Sequence, residues 1–169
     1  MSSHAALKPE PNVETIDTGI AHRDTSKLAK YLSNALADSY VLYLQTQGVH
    51  WNVVGPAFYS VHQLTEAQYE DLAEAIDKIA ERIRALGHIA PSSFREFTDL
   101  TVLDNEPTDQ SAAALIKRLV HMNQAVADRL RKSVAAAEEV EDVFTADLLT
   151  ARIGVHEEAA WMLRSLAAE

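Results

Sequence analysis

The segment AFYSVHQLTEAQYEDLAEAIDKIAERIRAL, residues 57–86, contains neither proline nor glycine. An uninterrupted segment of this kind, followed at once by Gly87, predicts a helix of about 45 Å that ends at the glycine. Upstream, apolar or small side chains recur at steps of three and four residues, which predicts a second long helix over residues 26–52. Candidates for the N-cap of that helix are Asp24, Thr25 and Ser26.

The second half of the chain predicts two more long helices after an extended connection. Residues 87–108 contain Gly and Pro with several Ser, Thr and Asp, and residues 92–97 could form a short helix within them. A third helix is expected from a cap at Thr108 or Asp109 to residue 138, and a fourth over residues 143–167. A connection of this length can cross the whole bundle. The pattern therefore predicts an all-α fold, a ferritin-like four-helix bundle with a short extra helix in the crossover loop.

Composition and charge exclude several classes of function. The 169 residues include 25 acidic and 15 basic side chains, for a formal charge of −10, so the chain repels nucleic acid and attracts cations. No cysteine is present, which excludes disulfides, thiolate metal sites and thiol catalysis. The longest stretch without a charge, residues 39–65, is interrupted by polar residues and a Gly-Pro pair, so we expect no membrane span.

The start of the chain differs in character from the rest. Residues 1–24 are polar and aperiodic and contain no apolar segment of the kind found in secretion signals. They predict a flexible N-terminal tail, followed by one bundle domain at residues 25–169. A cytoplasmic protein is the expectation that follows.

Seven histidines are available as metal ligands, but the residues around them argue against a site inside one bundle. A di-metal site within a ferritin-like bundle needs Glu-x-x-His pairs on two helices. None of the seven histidines has a glutamate three residues before it. The sequence therefore disfavours such a site, even though the fold class would allow one.

The predicted helix over residues 57–86 offers a different arrangement of ligands. His62 and Glu66 are one turn apart, Asp77 and Glu81 are one turn apart, and all four lie on one stripe. His62 and Glu81 are separated by roughly 28 Å along the axis, so one chain cannot close these residues around one ion. Two antiparallel copies related by a two-fold axis can, because His62 then meets Glu81 and Glu66 meets Asp77. His50, just before the turn, could add a third ligand from the first chain.

The ligand types in this arrangement narrow the choice of metal. A mixed set of imidazole and carboxylate ligands suits Fe²⁺, Mn²⁺ or Zn²⁺ better than Mg²⁺ or Ca²⁺. Acidic residues at this spacing are also common on solvated helix faces. A helical bundle or interaction protein without bound metal therefore stays open as an alternative at this point.

Several motifs of the chain resemble the Dps family, the miniferritins named for DNA protection in starved cells. They are HWNVVGPAF from His50, His62 with Glu66, DKIAER from Asp77, TADLL from Thr145, His156, and WML from Trp161. The resemblance extends over about residues 25–166. It implies a homododecamer, a hollow shell of four-helix subunits whose ferroxidase centres lie at two-fold interfaces.

Carried over position by position, the resemblance implies that one subunit supplies His50, His62 and Glu66 and that its partner supplies Asp77 and Glu81. The family often has aspartate where this chain has Glu66. The implied activity is that of a ferroxidase, which oxidises Fe²⁺ to Fe³⁺ with hydrogen peroxide preferred over dioxygen and stores ferric oxyhydroxide. Removing both reactants together protects against oxidative damage. Zinc or manganese are alternative occupants of the same site.

Two further sets of residues take roles from the resemblance. Trp51 is similar to the family's tryptophan near the centre, where it either packs or relays an oxidising equivalent. Acidic residues at the junction of the last two long helices line three-fold pores in the family. Their counterparts here, the candidates for iron entry, are Glu141, Asp142 and Asp147. Three copies of each carboxylate around an axis would attract cations inward.

The family's second activity, DNA binding, commonly rests on a basic tail that contacts phosphates. Residues 1–27 here contain three basic and four acidic side chains, which make a poor phosphate-binding arm. The sequence therefore predicts weak or absent DNA binding. A DNA-condensing protein associated with the nucleoid is the alternative to the iron-storage protein.

Overall fold

The computed structural model describes residues 16–105 and 111–167, which form four long helices and one short helix. The helices are α1 (His22–Asn52), α2 (Phe58–Ala85), α3 (Phe94–Leu100), α4 (Ala112–Glu138) and α5 (Val143–Leu166). The predicted all-α four-helix bundle with a short helix in the long connection is confirmed. Within the described residues, no helix is both long enough and apolar enough to cross a membrane.

Contacts between the long helices establish a crossover topology. α1 is antiparallel to α2, because ring contacts join the end of α1 to the start of α2. α1 is also antiparallel to α4, because Lys27 pairs with Glu139 and Asp38 pairs with Arg129. α2 and α4 therefore run parallel. The connection between them must traverse the bundle, and α3 packs on α1 along the way.

The core consists of the apolar stripes that the long helices turn inward. Each stripe follows the three- and four-residue steps of an amphipathic helix. The largest fully buried side chains include Leu28, Leu32, Leu36, Leu42, Ile79, Ile83, Leu119, Leu149 and Leu163. This packing holds α1 and α2 side by side and so fixes the surface on which the candidate ligands lie.

The start of α1 differs from the sequence prediction. The helix begins at His22, four residues early, and Ala21 precedes it without a side-chain cap. Thr25 lies inside the first turn, where its hydroxyl donates to the His22 carbonyl at 3.0 Å, so Asp24, Thr25 and Ser26 are not N-caps. The His22 ring lies 5.6 Å from that of His88. The part of the predicted tail before Ile16 lies outside the described residues.

The other helix limits lie close to their predicted positions. α2 spans Phe58–Ala85, and Gly87 follows with a φ of +85°, the left-handed conformation expected of a residue that ends a helix. The predicted caps of α4, Thr108 and Asp109, lie outside the described residues. Ser111 caps that helix, its hydroxyl oxygen accepting a hydrogen bond from the N–H of Ala114.

A buried ion pair joins α1 to α4 and to the crossover connection. Asp38 on α1 is 1% exposed, and both of its carboxylate oxygens lie 3.1 Å from Nη1 of Arg129. The same carboxylate accepts hydrogen bonds from the Thr101 hydroxyl at 2.8 Å and the Val102 N–H at 3.0 Å. Arg129 also donates to the Leu100 carbonyl at 2.9 Å. These bonds fix the residues after α3 against the bundle.

Candidate metal centre

His50 and His62 stack face to face where α1 ends and α2 begins. Their ring centroids are 3.7 Å apart and their planes differ by 16°. His50 is buried and His62 is half-buried. The structure thus brings together two histidines that are twelve residues apart in sequence.

Backbone hydrogen bonds orient the two imidazoles. Nδ1 of His50 lies 2.9 Å from the His62 carbonyl oxygen, and Nδ1 of His62 lies 3.0 Å from the His50 carbonyl oxygen. A carbonyl oxygen can only accept, so each neutral ring carries its hydrogen on Nδ1. Both Nε2 atoms then present a lone pair. Metal-ligating histidines are typically oriented by a bond of this kind from the other ring nitrogen.

Two further aromatic rings enclose the histidine pair. Phe58 stacks on His62 with 5.1 Å between ring centroids, and Tyr69 meets the ring of His50 edge-on at 5.2 Å. Burial, assisted by the nearby Glu66 carboxylate, raises the pKa of Tyr69. No motif in the sequence had singled out Tyr69. Its position two helical turns after His62 was the available signal.

The candidate carboxylates lie on the outer side of α2. Glu66, half-buried, is one turn beyond His62, whereas Asp77 and Glu81 are exposed further along the same helix. Asp77 lies roughly 22 Å along the helix axis from His62. Within the described part of a single chain, no group of three or more His, Asp or Glu side chains could hold a metal ion. A closed site from these ligands therefore needs a second chain.

Trp51 is not in ring contact with the histidine pair, although it follows His50 in sequence. Its side chain is 62% exposed. The ring contacts of His50 among the described residues are with His62 and Tyr69. In one subunit, Tyr69 and not Trp51 is the oxidisable ring that touches the candidate ligand.

The structure corrects the assignment of Asp142 to an entry pore. Asp142 is 3% exposed and accepts two hydrogen bonds of 2.8 Å from Nη2 of Arg82. It also caps α5, accepting from the N–H of Thr145 at 3.0 Å and from its hydroxyl at 2.6 Å. Burial acts to raise the pKa of Asp142, but the bonds from Arg82 and Thr145 outweigh it, so the pKa lies below its ordinary value. A carboxylate engaged in this way cannot line a pore.

The other two pore candidates remain accessible. Glu141 and Asp147 are exposed on either side of the α5 N-terminus. Glu141 has a φ of +59°, the left-handed conformation that reverses the chain between α4 and α5. This turn directs the chain away from α4 immediately before Asp142, and it leaves Glu141 at the tip of the junction.

A small, half-open cavity of about 150 Å³ lies between α2 and α5, with a few polar side chains among mostly apolar ones. Arg152 on α5 and Asp71 on α2 form an ion pair of 2.7 Å at this cavity. Nδ1 of His156 donates to Oδ1 of Asn123 at 2.9 Å, an orientation fixed because the Asn123 amide NH₂ donates to a backbone carbonyl. Among the described residues, no group of three or more His, Asp or Glu side chains could hold a metal ion here.

His156 is expected to make folding less stable in mild acid. Burial, helped by the Arg152 charge, lowers the pKa of His156 from 6.5 to about 3. Between these values the unfolded chain binds a proton that the folded chain does not, so stability falls as the pH falls. We expect a loss of about 2 kcal/mol from pH 7 to pH 5.

Denaturant midpoints at both pH values check this expectation. His156→Gln keeps a donor for Asn123 without a titratable ring and should show a weaker pH dependence than wild type. His121→Gln, which removes an exposed imidazole from α4, should behave as wild type. The same pH dependence in all three proteins would contradict the assignment.

Comparisons with known proteins agree on one family. Residues 29–169 match the family model of the ferritin-like domain. A low temperature-induced protein of Nostoc sp. is 41% identical over 152 residues, which cover 89% of this chain and 85% of that protein. The DNA protection during starvation protein of Porphyromonas gingivalis is 32% identical over 89% of this chain and 94% of its own.

A solved structure agrees with these sequence matches. The DPS protein of Vibrio cholerae O1, described as a member of the ferritin-like diiron-carboxylate superfamily, superposes with a TM-score of 0.85. It is 28% identical and the match covers 92% of this chain and 98% of that one. Sequence and structure thus point to the same group of proteins.

Proposed function

The chain belongs to the Dps family of ferritin-like proteins, and from this premise we propose that it is a ferroxidase that oxidises Fe²⁺ and stores the ferric product. Hydrogen peroxide is the preferred oxidant in this proposal, and ferric oxyhydroxide accumulates inside a homododecameric shell. Iron is the substrate and the cargo. Zinc and manganese are competitors for the same ligands, since all three metals accept imidazole and carboxylate ligands.

The observation that carries the proposal is the pair of oriented imidazoles beside an incomplete set of carboxylates. His50 and His62 each present Nε2, because Nδ1 of each ring is bonded to a backbone carbonyl. Glu66 lies one turn away. Asp77 and Glu81 of a second subunit, running antiparallel, would complete the centre. The carboxylates stabilise Fe³⁺ more than Fe²⁺ because their negative charge favours the higher charge.

Exposed apolar side chains beside the histidines support a contact with a second subunit at this place. Trp51, Val54 and Tyr59 are exposed and Phe58 is partly so, and together they form an apolar patch at the turn between α1 and α2. Apolar patches of this kind mark association surfaces. A two-fold contact there would cover the patch and would also place the second subunit's carboxylates beside the histidines.

A second pair of exposed apolar side chains suits a contact between subunits around a three-fold axis of the proposed shell. Val143 and Phe144, at the start of α5, are 75% and 63% exposed. They lie beside Glu141 and near Asp147, the accessible pore candidates. If copies of this junction meet around a three-fold axis, these carboxylates attract Fe²⁺ toward the interior.

The proposed reaction consumes two Fe²⁺ ions, one hydrogen peroxide and two protons, and forms two Fe³⁺ ions and two water molecules. The assembled protein, loaded anaerobically with Fe²⁺ and then mixed with stoichiometric peroxide, should develop ferric absorbance rapidly. The same load exposed to dioxygen should respond more slowly. Equal, slow oxidation with and without protein would reject the proposal.

DNA binding does not extend the proposal, because each described basic residue near the N-terminus lies against an acidic side chain, which offsets its attraction for phosphates. Lys27 contacts Glu139 at 2.6 Å, and Arg23 contacts Asp24 at 3.3 Å. At physiological salt we expect little or no shift of duplex DNA in a mobility-shift assay. A shift that falls steeply as salt is raised would instead favour the DNA-condensing alternative.

A further inference from the structure

We propose that Tyr69, backed by Tyr43 and Tyr40, donates an electron to the iron centre when the centre holds a single Fe²⁺ ion. The proposal rests on the proposed ferroxidase function. Hydrogen peroxide takes up two electrons when it is reduced to water, and a single Fe²⁺ ion supplies only one of them. The proposal concerns the source of the second electron. Its basis is a continuous row of aromatic rings that starts at His50.

The row links the candidate ligand to the interior of the α1–α3 contact. Tyr69 meets His50 edge-on, with 5.2 Å between centroids and an angle of 83°. Tyr43 meets Tyr69 at 6.1 Å and 89°, and Tyr40 meets Tyr43 at 6.4 Å and 72°. These separations are those of rings in direct contact. All three tyrosines are half-buried.

The row has a defined end. Phe97 on α3 stacks on Tyr40 with 4.5 Å between centroids and is almost completely buried. Phenylalanine has no hydroxyl hydrogen to lose, so the row of oxidisable rings ends at Tyr40.

Tyrosine supplies the second electron that a centre with only one Fe²⁺ ion lacks. Peroxide needs two electrons to become two water molecules, and one Fe²⁺ ion alone gives one electron and leaves a hydroxyl radical. One Fe²⁺ ion, one peroxide, one tyrosine and one proton instead yield one Fe³⁺ ion, one tyrosyl radical and two water molecules. Tyr43 can then return a hydrogen atom to Tyr69. A later Fe²⁺ ion, with a proton, reduces the remaining radical and becomes Fe³⁺.

The test uses the assembled protein with one Fe²⁺ per centre, mixed anaerobically with one equivalent of peroxide. Rapid-freeze electron paramagnetic resonance and ferric absorbance are recorded on the same samples. Wild type should give a tyrosyl radical signal. Tyr69→Phe should lose that signal and release more hydroxyl radical to a spin trap. The matched control is Tyr31→Phe, which removes a hydroxyl from another half-buried tyrosine of the bundle, roughly 28 Å from His50 along α1, and should match wild type.

Two results would overturn the inference while leaving the ferroxidase function intact. One is an unchanged radical signal in Tyr69→Phe. The other is a wild-type sample that forms ferric iron at its normal rate without any protein radical. A wild-type sample that forms no ferric product would overturn the proposed function, and this inference with it.

Discussion

Replacing both His50 and His62 with alanine is expected to slow peroxide-driven oxidation of Fe²⁺ by at least about 100-fold, because loss of partners that only orient a ligand already costs 10- to 100-fold. The double substitution removes both Nε2 donors from one side of the centre. The carboxylates that remain can still attract Fe²⁺, but they hold it without the fixed geometry that the stacked rings provide. Initial rates of ferric absorbance after a peroxide pulse measure the effect.

His121→Ala is the matched control for this loss of imidazoles. His121 is exposed on α4 and belongs to no proposed ligand set. The control should keep the wild-type rate, and both variants should keep the helical circular dichroism of the wild type. A double variant that oxidises iron as fast as His121→Ala would show that the histidines are not ligands.

Asp38→Ala is expected to lower the free energy of unfolding by about 3 to 5 kcal/mol, the usual cost of removing one partner from a buried ion pair. The carboxylate is 1% exposed and serves Arg129, the Thr101 hydroxyl and the Val102 N–H together. Its removal leaves the guanidinium and both other donors without their acceptor. Denaturant unfolding at neutral pH and one protein concentration measures the loss.

An exposed aspartate on α4 provides the control for Asp38. Asp128 pairs with Arg131 at 2.6 Å, but both side chains are largely solvated. Asp128→Ala should cost less than about 1 kcal/mol, because exposed ion pairs contribute little. Similar losses of unfolding free energy in the two variants would contradict the role of Asp38 in holding α1, α4 and the crossover connection together.

The helices and the stripe of ligands could be predicted from sequence because both depend on local periodicity. A segment without proline or glycine ending at Gly87 defines α2 within one residue at each end. The positions of His62, Glu66, Asp77 and Glu81 on that helix follow from 3.6 residues per turn alone. A pairing between two copies could be inferred for the same reason, and that inference remains a prediction.

Other features depend on contacts between distant segments and could not be predicted. Asp142 belongs to an acidic run in the sequence, but Arg82 reaches it from α2 and removes it from solvent. The contact between Tyr69 and His50 requires the spacing of α1 and α2. The start of α1 has no capping side chain, so no residue type in the sequence marks where the helix begins.

Each iron centre is proposed to be shared by two subunits, and co-assembly of two inactive variants is the sharpest test of that sharing. The first variant is His50→Ala/His62→Ala, and the second is Asp77→Asn/Glu81→Gln. Each alone should be inactive. In an equal mixture, half of the two-fold pairs contain one copy of each variant, and one of the two centres in such a pair keeps every ligand.

If the centre is shared, the mixed assembly should recover about a quarter of the wild-type rate of peroxide-driven iron oxidation. If each centre were formed within one subunit, the mixture would recover no oxidation activity, because every subunit in it lacks one half of the ligands. No recovery from mixed shells, with assembly of both variants verified, would contradict the shared centre.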